Sequence, residues 1–233
     1  VSPKSETAQY PHVTNLKYPK PGQPNPQVEY WVYDVNTNQG KHMDIPTKLH
    51  GPIISEVVWV GEESVVKIMD RTSDNLEVWV VNPVTGLTLK TRSYSSQDLG
   101  GAWFEVTHNS HAVGDSGYID TVDFHGYNHL ALFSPASNST PKMLTAGEWE
   151  VSDIQMGINL KTNHVYFHAS KISSIDEQIY RVSLDVNEPV NDPETIGDRG
   201  PGIYNAKFSG DCSFANVFYT APDAPVSQYV VYT

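Results

Sequence analysis

The chain has 233 residues, of which 39% are hydrophobic and 18% charged, and its 15 Lys and Arg against 27 Asp and Glu give a formal net charge of −12. This composition is typical of a globular protein with a sizeable core and excludes a mainly disordered chain, while the acidic balance disfavours a nucleic-acid partner, which needs Lys and Arg to neutralise phosphates. No run approaches the roughly 20 apolar residues that cross a bilayer, and the first residues contain no signal peptide, so we expect no membrane contact by this segment.

The first part of the chain is rich in proline. Six of the 16 prolines lie within residues 1–27. Proline fixes φ and removes a backbone donor, so such a segment packs poorly on itself. We therefore predict an extended arm over residues 1–27 that docks on another surface, with a plain solvent-exposed loop as the alternative.

From residue 28 onward the sequence repeats. Five short runs have the same alternating pattern of β-branched and aromatic residues, and their first residues are separated by 48, 52, 49 and 50 positions. The runs are 29–33, 77–81, 129–133, 178–182 and 228–232. Alternation predicts strands, and a fixed period of about 40 to 50 residues in an all-strand chain indicates the blades of a β-propeller.

Further strand-like runs complete each repeat. A run precedes each of the last four repeats to form a hairpin: 65–71, 118–124, 165–170 and 217–221. Another precedes each hairpin, at 53–60, 102–107, 149–155 and 203–209, and a fourth follows at 87–92 and 142–145. Four strands per period make a propeller blade. We predict an all-β fold in which residues 28–233 form about four to five four-stranded blades, with three complete and the ring incomplete at both ends.

Several aromatic residues are predicted to lie in the core of these blades. Trp31, Trp79 and Tyr180 occupy equivalent positions in the repeated runs, where aromatic side chains normally pack against a neighbouring sheet.

Four motifs resemble those of a known family. They are Tyr18-Pro19-Lys20-Pro21-Gly22-Gln23-Pro24-Asn25-Pro26, Trp103-Phe104-Glu105-Val106-Thr107-His108-Asn109, Gly117-Tyr118-Ile119-Asp120 and Leu144-Thr145-Ala146-Gly147-Glu148-Trp149-Glu150-Val151. The first, preceded by Tyr10-Pro11, is similar to a YPK-x-G-x-x-NP signature of the dipeptidyl peptidase IV propeller, and the others are similar to blades of the fungal dipeptidyl aminopeptidases. The resemblance spans almost the entire chain, in order.

The resemblance implies a large serine exopeptidase in which an eight-bladed propeller caps a carboxyl-terminal α/β-hydrolase domain. Such enzymes release Xaa-Pro or Xaa-Ala dipeptides from peptides with a free amino terminus, and this chain corresponds to the latter part of the cap. The family's paired glutamates, which bind the substrate amine, lie upstream of the Tyr-Pro-Lys segment. We therefore interpret Glu62-Glu63 as a solvated hairpin tip.

The same resemblance implies partners and a compartment. The arm, including Tyr10, Tyr18, Pro19 and Lys20, corresponds to a segment that helps form a homodimer in the family. The expected location is secreted or lumenal, on the vacuolar or Golgi lumen side of a membrane-anchored parent. The sequon Asn138-Ser139-Thr140 is then a candidate glycosylation site.

The sequence offers no catalytic residue of its own. No G-x-S-x-G elbow is present. Gly114-Asp115-Ser116-Gly117 is similar to the nucleophile motif of trypsin-like proteases. The disulfides and the histidine signature that accompany that motif are missing from this sequence, and we therefore predict a tight turn. The histidine pairs His108/His111 and His125/His129 lack a metal-ligand signature, and we expect neither a metal nor another cofactor. The single cysteine, Cys212, is predicted to be a small buried residue in a strand.

One local candidate for ligand contact is left. By resemblance, Trp103, Phe104 and Glu105 enter a blade that lines the family's substrate cavity, where an aromatic wall and a carboxylate suit a peptide. The alternative is structural, with Trp103 and Phe104 packed in the core.

The function predicted for the chain is that of the non-catalytic propeller portion of a dipeptide-releasing peptidase. The alternative from another class is the propeller of an inactive relative, or a scaffold, that acts as a protein-interaction module.

Overall fold

A computed structural model describes residues 13–152, 157–190, 192–197 and 199–233. Within these ranges the chain forms 17 β-strands and one 3-10 helical turn, Ser96–Leu99, and no α-helix. The all-β prediction is confirmed.

The strands form five antiparallel sheets, numbered here in chain order. Sheet 1 contains β1 (Tyr30–Asp34) and β2 (Gln39–Met43), and sheet 2 contains β3 (Ile53–Val60), β4 (Glu63–Met69), β5 (Asn75–Val81) and β6 (Thr88–Ser95). Sheet 3 contains β7 (His111–Val113), β8 (Gly117–Phe124), β9 (Tyr127–Phe133) and β10 (Lys142–Met143). Sheet 4 contains β11 (Gly157–Asn159), β12 (His164–Ala169), β13 (Gln178–Ser183) and β14 (Glu194–Thr195), and sheet 5 contains β15 (Ile203–Phe208), β16 (Phe214–Ala221) and β17 (Ala224–Tyr232).

In every sheet the strand order follows the chain order, so each sheet is a simple meander. Three complete four-stranded sheets lie between a two-stranded and a three-stranded one, which confirms the predicted partial β-propeller of four-stranded blades.

Consecutive sheets pack on one another through alternate residues of their strands. In sheet 3, Tyr118 and Phe133 pack with Val65 and Val80 of sheet 2, while Ile119 belongs to a second cluster shared with sheet 4. Successive side chains of a strand point to opposite faces. Each four-stranded sheet therefore buries both of its faces.

Tight turns connect the strands. His125 and Gly126, which join β8 to β9, both have positive φ, 59° and 87°, as a two-residue type I′ hairpin turn requires. Gly61 joins β3 to β4 with φ +58°, and a Cβ there would lie 2.3 Å from the carbonyl oxygen of Asp115. The turns of sheets 2 and 3 are thus in direct contact.

One predicted strand is wrong, and a second is not found in the described part of its range. The run 102–107 is not a strand, because the chain reverses at Gly100 and Gly101, both with left-handed φ, and then crosses toward sheet 3, where the first strand is His111–Val113. The run 149–155 is not a continuous strand within the described residues. Val151 makes an isolated bridge with Ala169, sheet 4 begins at Gly157–Asn159, and residues 153–156 lie outside the description.

The core predictions are partly confirmed. Trp79 and Tyr180 are buried, but Trp31 is 57% exposed. Tyr30 and Val32 of the same strand pack on sheet 2, so Trp31 faces the opposite way, where its ring contacts His42. Cys212 is buried as predicted, but it lies in the turn between β15 and β16 with φ 52° rather than in a strand.

Candidate functional site: a cavity between sheets 2 and 3

The segment that leaves sheet 2 is directed by its capping residues. The 3-10 turn Ser96–Leu99 begins where the Ser95 hydroxyl accepts a hydrogen bond from the Gln97 amide, and it ends at Gly100 in the left-handed conformation. The Phe104 amide then donates to the Ser73 carbonyl at 2.8 Å. The hydrogen bond from Phe104 fixes this segment against the β4–β5 turn of sheet 2.

A cavity of about 460 Å³ lies beneath this segment. Its lining includes the three predicted residues Trp103, Phe104 and Glu105, with apolar side chains of sheet 2 and polar ones of β8. Trp103 is 70% exposed, so the alternative that places it in the core is wrong. Phe104 is half-buried, and its ring centroid lies 6.4 Å from that of Tyr94, while Glu105 is exposed.

A buried network of four charged side chains lies beside the cavity. Lys67 Nζ lies 2.8 Å from Glu56 Oε2 and 2.7 Å from Asp120 Oδ1. The other oxygen of Asp120 accepts from Arg92 Nη2 at 3.1 Å. All four residues are less than 8% exposed. Three of them, Lys67, Arg92 and Asp120, also line the cavity.

Neutral groups complete the network. Arg92 donates to the hydroxyls of Tyr118 at 2.7 Å and Tyr94 at 2.9 Å, and its guanidinium lies 3.7 Å from the ring centre of Phe133. The Ser110 amide and hydroxyl donate to Glu56 at 3.1 and 2.8 Å. Two cations and two carboxylates are therefore paired and hydrogen-bonded, as buried charges require.

The mutual pairing keeps Lys67 and Asp120 ionised. Burial acts to raise the pKa of Asp120, but the charges of Lys67 and Arg92 outweigh it, and the pKa lies below its ordinary value. For Lys67, burial acts in the opposite direction, and the two carboxylates hold its pKa above the ordinary value. Burial raises the pKa of the Tyr118 hydroxyl, which stays a neutral donor and acceptor.

Sequence reasoning missed this network. The available signal was a charged residue within an apolar strand run, as in Val65-Val66-Lys67-Ile68-Met69 and Tyr118-Ile119-Asp120. A charged residue at such a position is rarely buried unless it is paired.

Comparisons with known proteins identify the family. The model of the dipeptidyl peptidase IV (DPP IV) N-terminal region matches residues 1–226. The chain belongs to this family. Among curated relatives, the probable dipeptidyl-aminopeptidase B of Metarhizium robertsii is 35% identical over 231 residues, which are 95% of this chain and 25% of that protein. Its namesake in Aspergillus oryzae is 36% identical over 227 residues, covering 93% of this chain and 25% of that protein.

Solved structures show the same fold. The crystal structure of Porphyromonas gingivalis dipeptidyl peptidase 4 matches with a TM-score of 0.76 at 17% identity, over 99% of this chain and 31% of that one. A putative dipeptidyl aminopeptidase IV from Bacteroides ovatus matches with a TM-score of 0.73 at 19% identity, over 97% and 34% of the two chains. This DPP IV-type chain spans about a quarter of the length of the curated relatives described above.

Ser116 of the DPP IV-type chain lies in the turn between β7 and β8, as predicted. Its carbonyl accepts from the Ala136 amide at 2.7 Å. The surface depression around it is lined by Glu62, Glu63 and Asp115 and by no histidine among the described residues. Glu62 is exposed in the β3–β4 turn, in agreement with a hairpin tip. The prediction is wrong for Glu63, which is the first residue of β4, is half-buried and accepts a hydrogen bond from Asn82 Nδ2 at 3.3 Å. Serine catalysis needs a histidine beside the nucleophile, so this geometry does not support it.

The histidines have structural surroundings. His125 occupies the β8–β9 turn, and buried His129 is within 3.1 Å of the Thr145 hydroxyl and 3.0 Å of the Gly147 carbonyl. Burial lowers the pKa of His111 on β7, and exposed His108 lies in the segment before it. Within the described ranges, no three His, Cys, Asp or Glu side chains are grouped so as to hold a metal ion.

The remaining predicted sites that the structure describes lie at the surface. Tyr18, Pro19 and Lys20 are exposed, and the segment that follows is fixed to sheet 2 where Arg71 Nη1 donates to the Gln23 carbonyl at 2.6 Å. Tyr10 lies outside the described residues. Asn138 is exposed in the loop between β9 and β10, and its Oδ1 accepts from the Thr140 amide at 3.1 Å. In the part of the chain that the structure describes, no helix is long and apolar enough to span a bilayer.

Proposed function

We propose that this chain is the non-catalytic propeller portion of a serine exopeptidase that releases Xaa-Pro or Xaa-Ala dipeptides from peptide amino termini. The observation that supports this role most directly is the cavity under residues 102–107, where Trp103, Phe104 and Glu105 meet. The fungal relatives, which are named as probable dipeptidyl-aminopeptidases, also support the proposal.

The cavity suits a peptide for chemical reasons. A site of this kind combines apolar and aromatic walls with a few polar groups that fix orientation. Here Trp103 and Phe104 provide the aromatic wall, and Glu105 with Asp123 of β8 provides the polar groups. In the proposed enzyme, the propeller limits access of peptides to a carboxyl-terminal α/β-hydrolase domain that supplies the nucleophile.

The proposal also includes a dimer contact, a glycan and a compartment, each based on exposed residues. The arm around Tyr18, Pro19 and Lys20 is free to dock on a second copy, since its side chains face solvent, and we assign it to a homodimer contact. Exposure of Asn138 is compatible with a glycan, and the proposed compartment is secreted or lumenal.

The test begins with the open reading frame that encodes this chain together with its flanking coding sequence. The full-length product is expressed and assayed for release of Ala-Pro from an amino-terminally free chromogenic peptide, beside the 233-residue chain alone. We expect turnover by the full-length protein, loss of turnover on replacement of its G-x-S-x-G serine by alanine, and none by the isolated chain.

Two results would contradict the proposal. A reading frame that lacks the hydrolase nucleophile would leave an inactive relative whose propeller is an interaction module. Turnover by the isolated chain that disappears in Ser116→Ala would instead make this chain itself the enzyme.

A further inference from the structure

The cavity between sheets 2 and 3 has an unbalanced charge. Its two cations, Lys67 and Arg92, are committed to Glu56 and Asp120 in the buried network, at distances of 2.7 to 3.1 Å. The network as a whole is neutral and leaves no cation to compensate a further carboxylate.

Two more carboxylates line the same cavity, and both are exposed. Glu105 lies within residues 102–107, which line the cavity after sheet 2, and Asp123 lies near the end of β8. Neither is in an ion pair with any described residue. The cavity therefore presents two negative charges that only a ligand or solvent counter-ions balance.

An aromatic surface accompanies these charges. Trp103 lines the cavity and leaves 70% of its surface exposed, which is unusual for the largest apolar side chain. The face of an indole ring attracts cations, and its flat surface packs against the aliphatic stem of Lys or Arg.

We infer that this cavity is a specificity subsite that selects a Lys or Arg side chain of a bound peptide. Glu105 and Asp123 pair with the cationic head, and Trp103 covers its stem. The inference rests on the proposed function, in which peptides enter this cavity, and adds the class of side chain that the cavity prefers.

The test uses the 233-residue chain and small probes, so that it does not depend on hydrolysis. The probes are N-acetyl-arginine amide, N-acetyl-norleucine amide and N-acetyl-glutamate amide. Binding is followed by two-dimensional NMR on ¹⁵N-labelled protein, with the indole N–H of Trp103, assigned by its loss in Trp103→Phe, as the reporter. We expect the arginine probe to bind at least about fivefold more tightly than norleucine, because an exposed ion pair and a cation–π contact each contribute modestly, and we expect the glutamate probe to bind most weakly.

Substitutions of carboxylates test which residues cause the preference for the arginine probe. Glu105→Gln and Asp123→Asn together should bring the arginine and norleucine affinities to within about twofold of each other. Glu62→Gln, which removes a carboxylate from the exposed β3–β4 turn, should leave the preference unchanged. Dispersed indole resonances in every variant verify folding.

Three results would overturn the inference. They are equal binding of the three probes, tighter binding of the glutamate probe, and a preference for arginine that is still present in the Glu105→Gln, Asp123→Asn double variant. Its failure is distinct from that of the proposed function. Arginine selection without dipeptide release by the full-length protein contradicts only the peptidase, whereas release without arginine selection contradicts only the subsite.

Discussion

The Nζ atom of Lys67 on β4 lies 2.7 Å from the Oδ1 atom of Asp120 on β8, so a buried ion pair joins sheet 2 to sheet 3. The two residues are 53 positions apart in sequence. The lining of the cavity and the contact between sheets 2 and 3 therefore depend on the same charged residues. Any change to one of them is expected to alter both stability and the shape of the cavity.

Asp120→Asn removes one of the two carboxylates that neutralise Lys67 and Arg92. Breaking a buried pair from one side leaves an uncompensated charge, which costs about 3 to 5 kcal/mol. Urea unfolding followed by intrinsic fluorescence should show a loss of this size. Lys161→Met is the matched control, because Lys161 and Asp211 form an exposed pair at 3.4 Å, and such pairs contribute about 0 to 1 kcal/mol. Equal effects of the two substitutions would contradict the assigned burial.

The network also predicts how stability depends on pH. The pKa of Asp120 is lowered in the folded state, so its ionisation stabilises the fold above the unfolded pKa of about 3.9, and this stabilisation is lost as pH falls through the lower folded pKa. The pKa of Lys67 is raised, so its contribution is present below about pH 10 and is lost as pH rises through the higher folded pKa.

The measurement is the difference in unfolding free energy between the original chain and Asp120→Asn, taken from pH 7 down to pH 3. The difference should be constant near neutrality and shrink below about pH 4, because the Asp120 carboxylate of the unfolded chain then protonates before that of the folded chain. A difference that grows on acidification would mean that Asp120 is destabilising as a carboxylate in the folded state.

Much of the fold was predictable because the repeat is visible in the sequence. The run 53–60 coincides with β3, Ile53–Val60, and the run 203–209 ends one residue beyond β15, Ile203–Phe208. Alternation of buried and exposed residues creates this signal. The prediction of a strand at 102–107 was wrong. Trp103 and Phe104 favour strands, but the left-handed turn at Gly100 and Gly101 directs the chain across the cavity instead.

The candidate site was only half predictable. Trp103, Phe104 and Glu105 are adjacent in sequence, so a short motif identifies them together. The partners of Lys67 are not adjacent to it, since Glu56 lies on β3 and Asp120 on the next sheet. Pairing between strands of different blades depends on how the blades pack, and a single sequence does not specify that.

Gly61→Ala tests the contact between neighbouring turns. Gly61 has φ +58°, and an added Cβ would lie 2.3 Å from the Asp115 carbonyl oxygen, so both backbone strain and a clash oppose the substitution. Gly114→Ala is the matched control, because φ is +60° there but nothing lies within 4 Å of the added Cβ. The left-handed conformation alone costs about 1 to 2 kcal/mol.

Thermal and urea unfolding of the two variants should therefore differ. We expect Gly114→Ala to lose about 1 kcal/mol and Gly61→Ala to lose at least about 1 kcal/mol more, since the backbone oxygen has to move to relieve the clash. Equal losses would mean that the turns of sheets 2 and 3 do not touch in solution.

Asn138 tests whether the proposed glycosylation site is accessible. It is exposed between β9 and β10 and lies in the single sequon of the chain, Asn138-Ser139-Thr140. Because a glycan needs a surface loop, expression with a secretion signal in a eukaryotic host should give a product whose mass falls on treatment with an N-glycosidase. Asn138→Gln should abolish the shift, whereas Asn187→Gln, also exposed but outside a sequon, should retain it. A secreted, folded product that carries no glycan would argue that the loop is covered in the parent fold, and would remove Asn138 as support for a lumenal location.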